Sequence, residues 1–221
     1  MAIARDTQSE GNSGGTSITF AHTCNGTERL LLVYVADQDS TADNVTGVTY
    51  DGVAMTKIVS LRAANLYNRG FSMWGLVAPS TGTNNIVVTR TNSANNVNAL
   101  GMSYTGVSQI MPTIFDTSDE DGVIALTCNV TIANDGSWAV MGATSPSGVP
   151  SAGTNATYLI KDPDYSGGEN AYAVDNSGYG VISAGAFSLQ VNSASSGKMA
   201  GVMVAFSPPV IAVGKSFSQI I

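Results

Sequence analysis

The chain has 221 residues, of which 43% are hydrophobic and only 11% are Asp, Glu, Lys or Arg, against about a quarter charged in an ordinary soluble domain. Its formal net charge is −7. The hydrophobic share supplies a core and excludes wholesale disorder, and the scarcity of cations argues against nucleic-acid binding through counterion release.

Residues 1–15 read as a flexible arm ending in Ser13-Gly14-Gly15. The opening Met1-Ala2-Ile3-Ala4-Arg5-Asp6 lacks the apolar stretch of a secretory leader, and no run approaches the ~18 apolar residues of a membrane span. The expectation is a chain made in a cytoplasm, or one whose leader has been removed.

From Thr16 the pattern turns to strands. Thr16 to Phe20 alternates polar and apolar residues, as a half-buried strand does. Arg29 to Ala36 is a near-continuous apolar run and predicts a central strand covered on both faces. Thr46 to Tyr50 and Val53 to Ile58 flank Asp51-Gly52, a pair that accepts the positive φ of a tight hairpin turn. Val59 to Leu66 is the one stretch with helical spacing, and it is short. Gly70 to Ala78, Asn85 to Thr91 and Ala99 to Thr105 read as further strands. Pro112 to Gly122, which holds Asp116, Asp119, Glu120 and Asp121, reads as a crossover loop within one domain, with two subdomains as the alternative.

Beyond it, Val123 to Ile132 and Ser137 to Thr144 flank Asn134-Asp135-Gly136, a second hairpin signal. Thr154 to Lys161, Asn170 to Val174, Ala186 to Val191 and Lys198 to Phe206 complete about twelve strands, the pattern of an antiparallel sandwich or barrel. Ser207-Pro208-Pro209 ends the ladder, because proline has no N–H to donate. The organisation expected is an arm (1–15), one β-sandwich (16–206) and a C-terminal arm (207–221). That last segment carries Val210, Ile211, Val213, Phe217, Ile220 and Ile221, apolar residues that need cover from their own domain or from a neighbouring subunit.

Chemistry-bearing residues are few. His22 is the only histidine, and no nucleophile elbow surrounds it, so it reads as a surface or strand-end residue. Asp37 with Asp39, and Asp162 with Asp164, are carboxylate pairs lacking the apolar setting of an acid catalyst. Asp116, Asp119 and Asp121 are weak calcium candidates without EF-hand spacing; no other cofactor is expected. Cys24 and Cys128 make no metal motif and read as free buried thiols, with a pair across a sheet as the alternative. Tyr158, Tyr165, Tyr172 and Tyr179 lie in the Gly- and Asn-rich second half. Among them Tyr165 and Tyr179, in loop-like surroundings, are the candidates for stacking on a sugar. Trp74 and Trp138 read as core.

Val48-Thr49-Tyr50-Asp51-Gly52-Val53-Ala54-Met55-Thr56, then Trp74-Gly75-Leu76-Val77-Ala78-Pro79-Ser80-Thr81-Gly82, then Ser103-Tyr104-Thr105-Gly106-Val107-Ser108-Gln109 with Pro112 behind, form an ordered set of turn and core motifs. Together, over Val45–Pro112, they resemble uncharacterised bacteriophage structural proteins and bacterial surface β-sandwich proteins. The resemblance covers roughly a third of the chain. It implies a jelly-roll-like sandwich used for display or attachment, and no catalytic residues. The expectation is a non-enzymatic virion protein of a tailed bacteriophage, a capsid-decorating or fibre-type module. It would be made in the host cytoplasm and assemble through its arms with copies of itself, a trimer being favoured, and with other virion proteins. The alternative is a carbohydrate-binding or adhesive surface module. Neither nucleic acid nor membrane is an expected partner.

Overall fold

The structure is a computed structural model that describes residues 2–38, 44–93, 96–145, 151–161, 170–180 and 182–210. Among the described residues every regular element is a strand. In chain order they are β1 (Ala4–Ser13), β2 (Ser17–Cys24), β3 (Leu30–Asp37), β4 (Val45–Tyr50), β5 (Val53–Ala54), β6 (Thr56–Ala63), β7 (Arg69–Val77) and β8 (Gly82–Arg90). There follow β9 (Val97–Thr105), β10 (Ile114–Ile132), β11 (Trp138–Ser145), β12 (Ser151–Ala152), β13 (Thr157–Lys161), β14 (Asn170–Asp175) and β15 (Gly185–Phe206).

These strands form three antiparallel sheets instead of about twelve strands in a simple sandwich. The central sheet has the order β1-β9-β3-β7-β6, the N-terminal outer sheet β2-β8-β4-β5, and the C-terminal sheet β10-β15-β11-β14-β13, with β12 paired to β15. The central sheet is buried on both faces. Leu31, Val33 and Val35 point to the N-terminal outer sheet and meet Ile18, Val48 and Ile86. Leu30, Leu32 and Tyr34 point the other way and meet Val140, Val202 and Val204 of the C-terminal sheet. All eight residues of β3 are buried, as its unbroken apolar run predicts. Each Leu or Val so covered contributes about 1.5–3 kcal/mol over an exposed one.

The C-terminal sheet makes a further layer out of itself. β10 and β15 are 19 and 22 residues long and pair along most of their length, with register shifts between Glu120 and Val123 and between Val123 and Ala125. Gly122 sits at this break with a φ of 72°, a conformation that a side chain resists, and Ser196 Oγ donates to its carbonyl at 2.7 Å. Beyond the break the ribbon turns back over its own sheet. Leu126, Cys128, Leu189 and Val191 of the far half pack on Met141, Tyr172, Val174 and Met203 of the near half. Asn129 N donates to Asp116 Oδ2 at 2.7 Å across the fold.

Several local expectations are corrected. Residues 4–13 of the expected N-terminal arm form β1, in register with β9 from Ala4↔Thr105 to Ser13↔Val97. The short helical spacing after Val59 lies in strand β6 and the turn that follows it. The acidic stretch expected as a loop is the first half of β10, an edge strand, where charge discourages pairing with another chain. Asp51-Gly52 does make the expected hairpin, with φ of 51° and 74°. Asn134-Asp135-Gly136 does not, because β15 lies between β10 and β11; the turn links two layers. Ala186 to Val191 and Lys198 to Phe206 are parts of one strand, β15.

Candidate functional site

Three places concentrate chemistry or unpaired apolar surface. The first joins β1 to β14. Asp175 is fully buried and accepts from Arg5 Nη2 at 2.8 Å, Arg5 Nε at 3.2 Å, Tyr104 Oη at 3.2 Å and Ser177 N at 2.9 Å. Arg5 Nη2 also donates to Ser177 Oγ at 2.5 Å. Burial first, and the Asp175 carboxylate second, hold the Tyr104 phenol well above its ordinary range. This is a structural clamp, since every acceptor site faces a donor of the fold itself. A comparable clamp closes the far end of β8: Arg90 Nη1 donates to Asp37 Oδ1 at 3.0 Å, and Arg90 Nη2 to Gly15 O at 2.6 Å. Asp37 is therefore a buried ion-pair member; Asp39, Asp162 and Asp164 lie outside the described residues.

The second place surrounds His22. Instead of a surface position it occupies a buried one in β2, 2% exposed. Its Nδ1 is 2.7 Å from Ser9 Oγ and its Nε2 3.3 Å from Thr7 Oγ1, so the ring bridges the two hydroxyls of β1. Tyr50 meets it edge-on at 6.3 Å. Burial lowers its pKa to about 4, with the Asp6 carboxylate pulling weakly upward. Asp6 is spent elsewhere, accepting from Ser103 Oγ at 2.9 Å and Asn25 N at 2.8 Å. A Ser, a His and an Asp thus stand close together, yet the carboxylate does not orient the imidazole as a hydrolytic triad requires. The group ties β1 and β2 together.

The third place lies at the end of the described chain. A cavity of about 220 Å³ opens between residues 108–114 and 205–210. Ile110, Met111, Pro112, Ile114, Pro208 and Val210 line it, together with Ala133 and Asn134 and the hydroxyl-bearing Ser108, Thr113 and Ser207. Val210 and Ile110 are 81% and 78% exposed, the highest values among the large hydrophobic residues exposed on this surface. The wall is held by Ser108 N donating to Ser207 O at 2.8 Å and by the contact of Ser137 Oγ with Ser207 Oγ at 3.0 Å.

The remaining candidates scatter. Asp116 accepts from Asn129, and Asp119 Oδ2 accepts from Asn65 N at 3.0 Å; Asp121 is exposed. Among the described residues no group of three His, Cys, Asp or Glu side chains is placed to hold a metal ion. Tyr179 is 56% exposed beside Gly180. Tyr172 is fully buried, so it offers no sugar platform. Tyr165, and the tail residues Ile211, Val213, Phe217, Ile220 and Ile221, lie outside the described residues, as does the side chain of Tyr158. Cys24 and Cys128 are free and buried in different cores, and burial raises both thiols. Trp74 is buried, and Trp138 packs edge-on to Tyr104 at 5.9 Å. No motif in the sequence signals the Arg5–Asp175 clamp, whose members are 170 positions apart. Comparison of the chain with protein-family models, with curated proteins and with solved structures gives no match.

Proposed function

We propose that the chain is a non-enzymatic structural protein of a tailed-phage particle, a capsid-decorating or fibre-type module that assembles with copies of itself. The observation that carries this reading is the uncharged, largely apolar cavity at the point where the described chain ends. A cavity flanked by two large, highly exposed apolar side chains suits a protein surface that seats on another. The interior supports the same reading. Asp175, Asp37, Arg90 and His22 are buried where they brace strands against one another, which favours a rigid building block. The chain also alternates between the central and N-terminal outer sheets through β1 to β9, in keeping with the jelly-roll-like description that the resemblance implies. Because residues 4–13 belong to a sheet, the assembly role proposed for two arms passes to the C-terminal one, with a trimer as the favoured state.

Mass spectrometry of purified particles from a phage that encodes this chain tests the proposal. The protein is expected in stoichiometric amount with the capsid or tail proteins; its absence from particles while abundant in the infected cell refutes the virion role. A second reading, a glycan-binding surface module, is favoured by one observation, the exposure of Tyr179 on a glycine-flanked turn. A glycan array with Tyr179→Ala and Tyr165→Ala controls decides it: a signal lost in the variants supports it, and background binding removes it.

A further inference from the structure

We infer that β1 is an acid-releasable strand: protonation of His22 detaches residues 4–13 from β9 and β2 while the remaining strands stay folded. Little apolar surface holds this strand. None of the ten residues of β1 is buried, and the buried Ile3 stands one position before its start. β1 is the edge of the central sheet and is hydrogen-bonded to β9 along one side. Its departure breaks that ladder and leaves β9 on β3 and β2 on β8. The ladder is itself interrupted, its register shifting between Arg5 and Gln8, so Asp6 and Thr7 fall at a bulge. There Thr7 N donates to a side chain, Ser103 Oγ, at 3.2 Å. His22 grips β1 at this gap and just beyond it, through Thr7 Oγ1 and Ser9 Oγ.

The same contacts confine the imidazole to its neutral form. The ring lies against Gly101 of β9, where a Cβ would stand 3.2 Å from His22 Nδ1 and 2.9 Å from Ser9 Oγ, so a missing side chain makes the room and β1 closes it. Burial lowers the His22 pKa to about 4, and Asp6, on β1 itself, pulls upward more weakly. The other titratable groups about the ring are Cys24 on β2 and Tyr50 on β4. Burial raises both, Tyr50 to about 12, so both are neutral in acid and give an imidazolium no counter-charge. β8 sets the uncharged Asn84 opposite His22, and β9 contributes Gly101 and Ser103. Arg5, farther along β1, is engaged with Asp175, and Glu10 is exposed. Once β1 leaves, water reaches the ring and its pKa returns toward 6.5. The released state takes up a proton that the closed state excludes. The closed strand is therefore most secure above pH 6.5 and loosens as pH falls toward 4, with the release equilibrium rising about 20-fold between pH 7 and pH 5.

Hydrogen exchange of the full-length chain, read by mass spectrometry at pH 7 and pH 5 and corrected for intrinsic rates, tests this. Protection of residues 4–13 is expected to fall about 20-fold at pH 5 and to be insensitive to low urea, the mark of a local opening that exposes little surface. Residues 30–37 of β3 are expected to stay better protected than residues 4–13 at both pH values and to respond to urea. In His22→Gln the pH dependence of residues 4–13 is expected to vanish, and in Asp6→Asn to persist. His22 is the only histidine, so its ring resonances titrate without overlap, with a midpoint expected at about 4 in the folded chain; this measurement and the comparison of segments decide the matter in the parent chain if His22→Gln does not fold. Equal protection of residues 4–13 at the two pH values overturns the inference. So does urea-sensitive exchange shared by residues 4–13 and 30–37, which shows that the strand leaves only with the whole fold. A pH dependence that survives in His22→Gln, or is lost in Asp6→Asn, moves the trigger to another group and also overturns it, as does a histidine midpoint near 6.5 in the folded chain. None of these outcomes bears on the virion role, which stands or falls on particle composition.

Discussion

Removal of the Asp175 carboxylate tests whether the first residues of the chain belong to the fold. In Asp175→Ala, Arg5 loses a two-point partner and Tyr104 loses the only acceptor shown for its buried hydroxyl. Breaking a buried pair from one side costs about 3–5 kcal/mol. Arg5 is 31% exposed and regains some water, which places its share near the lower end, about 3 kcal/mol. The orphaned Tyr104 hydroxyl adds roughly 1 kcal/mol. With a urea m-value of about 3 kcal/mol/M for a chain of this size, the midpoint falls by slightly more than 1 M. Tyr104→Phe alone is expected to shift it by about 0.3 M, and a double-mutant cycle of Asp175→Ala with Arg5→Met to return a coupling of about 2 kcal/mol. A midpoint in Asp175→Ala within about 0.2 M of the parent would refute the reasoning and return residues 1–15 to the status of an arm.

Four further outcomes are expected. The His22 pKa is lowered to about 4 by burial, so between pH 6.5 and 4 the unfolded chain binds a proton that the folded chain refuses. Stability therefore falls as pH drops through that window, by on the order of 3 kcal/mol. Urea midpoints at pH 7 and pH 4.5 should diverge more in the parent than in His22→Gln, and equal divergence removes the imidazole as the cause. Gly142→Ala drives a methyl group into the ring of Tyr34, whose hydroxyl is tied to Thr144 at 3.0 Å; a loss of about 1–3 kcal/mol is expected in thermal or urea melts. Tyr172 Oη is buried with no hydrogen-bond partner among the described residues, so Tyr172→Phe should leave stability unchanged or raise it by about 1 kcal/mol, and a drop beyond that contradicts the geometry. Cys24 and Cys128 should react with a thiol reagent only after denaturation, both within the same unfolding transition.

Alternation and apolar runs made much of this fold legible. β3 announced its two-sided burial in six successive large residues, Leu30 to Val35, and Asp51-Gly52 announced the turn that the backbone makes. The same rules passed over β1 because its inward contacts are polar: Arg5, Thr7 and Ser9 meet Asp175 and His22, and a hydrophobic pattern does not register a strand held by hydrogen bonds. Asn134-Asp135-Gly136 misled for a different reason. Turn chemistry reverses the chain equally well between neighbours in a sheet and between stacked layers, and only the long-range pairing of β15 with both β10 and β11 decides which. At the candidate site the apolar composition after Pro209 was visible, whereas the cavity beside it is completed by residues 108–114, which lead into β10 about a hundred positions earlier in the chain.

The folded-back ribbon also orders events during synthesis. The central and N-terminal outer sheets draw on residues 4–105 alone, whereas Ile114 waits for Ala205. At ribosomal rates that interval lasts roughly 5–20 s. Until β15 emerges Leu30, Leu32 and Tyr34 lack the part of their cover that Ala200, Val202, Val204 and Phe206 supply, and the nascent chain presents an incompletely covered greasy wall to the crowded cell. Chaperone capture of stalled chains should accordingly peak for lengths between these two points and decline once the last strand has emerged.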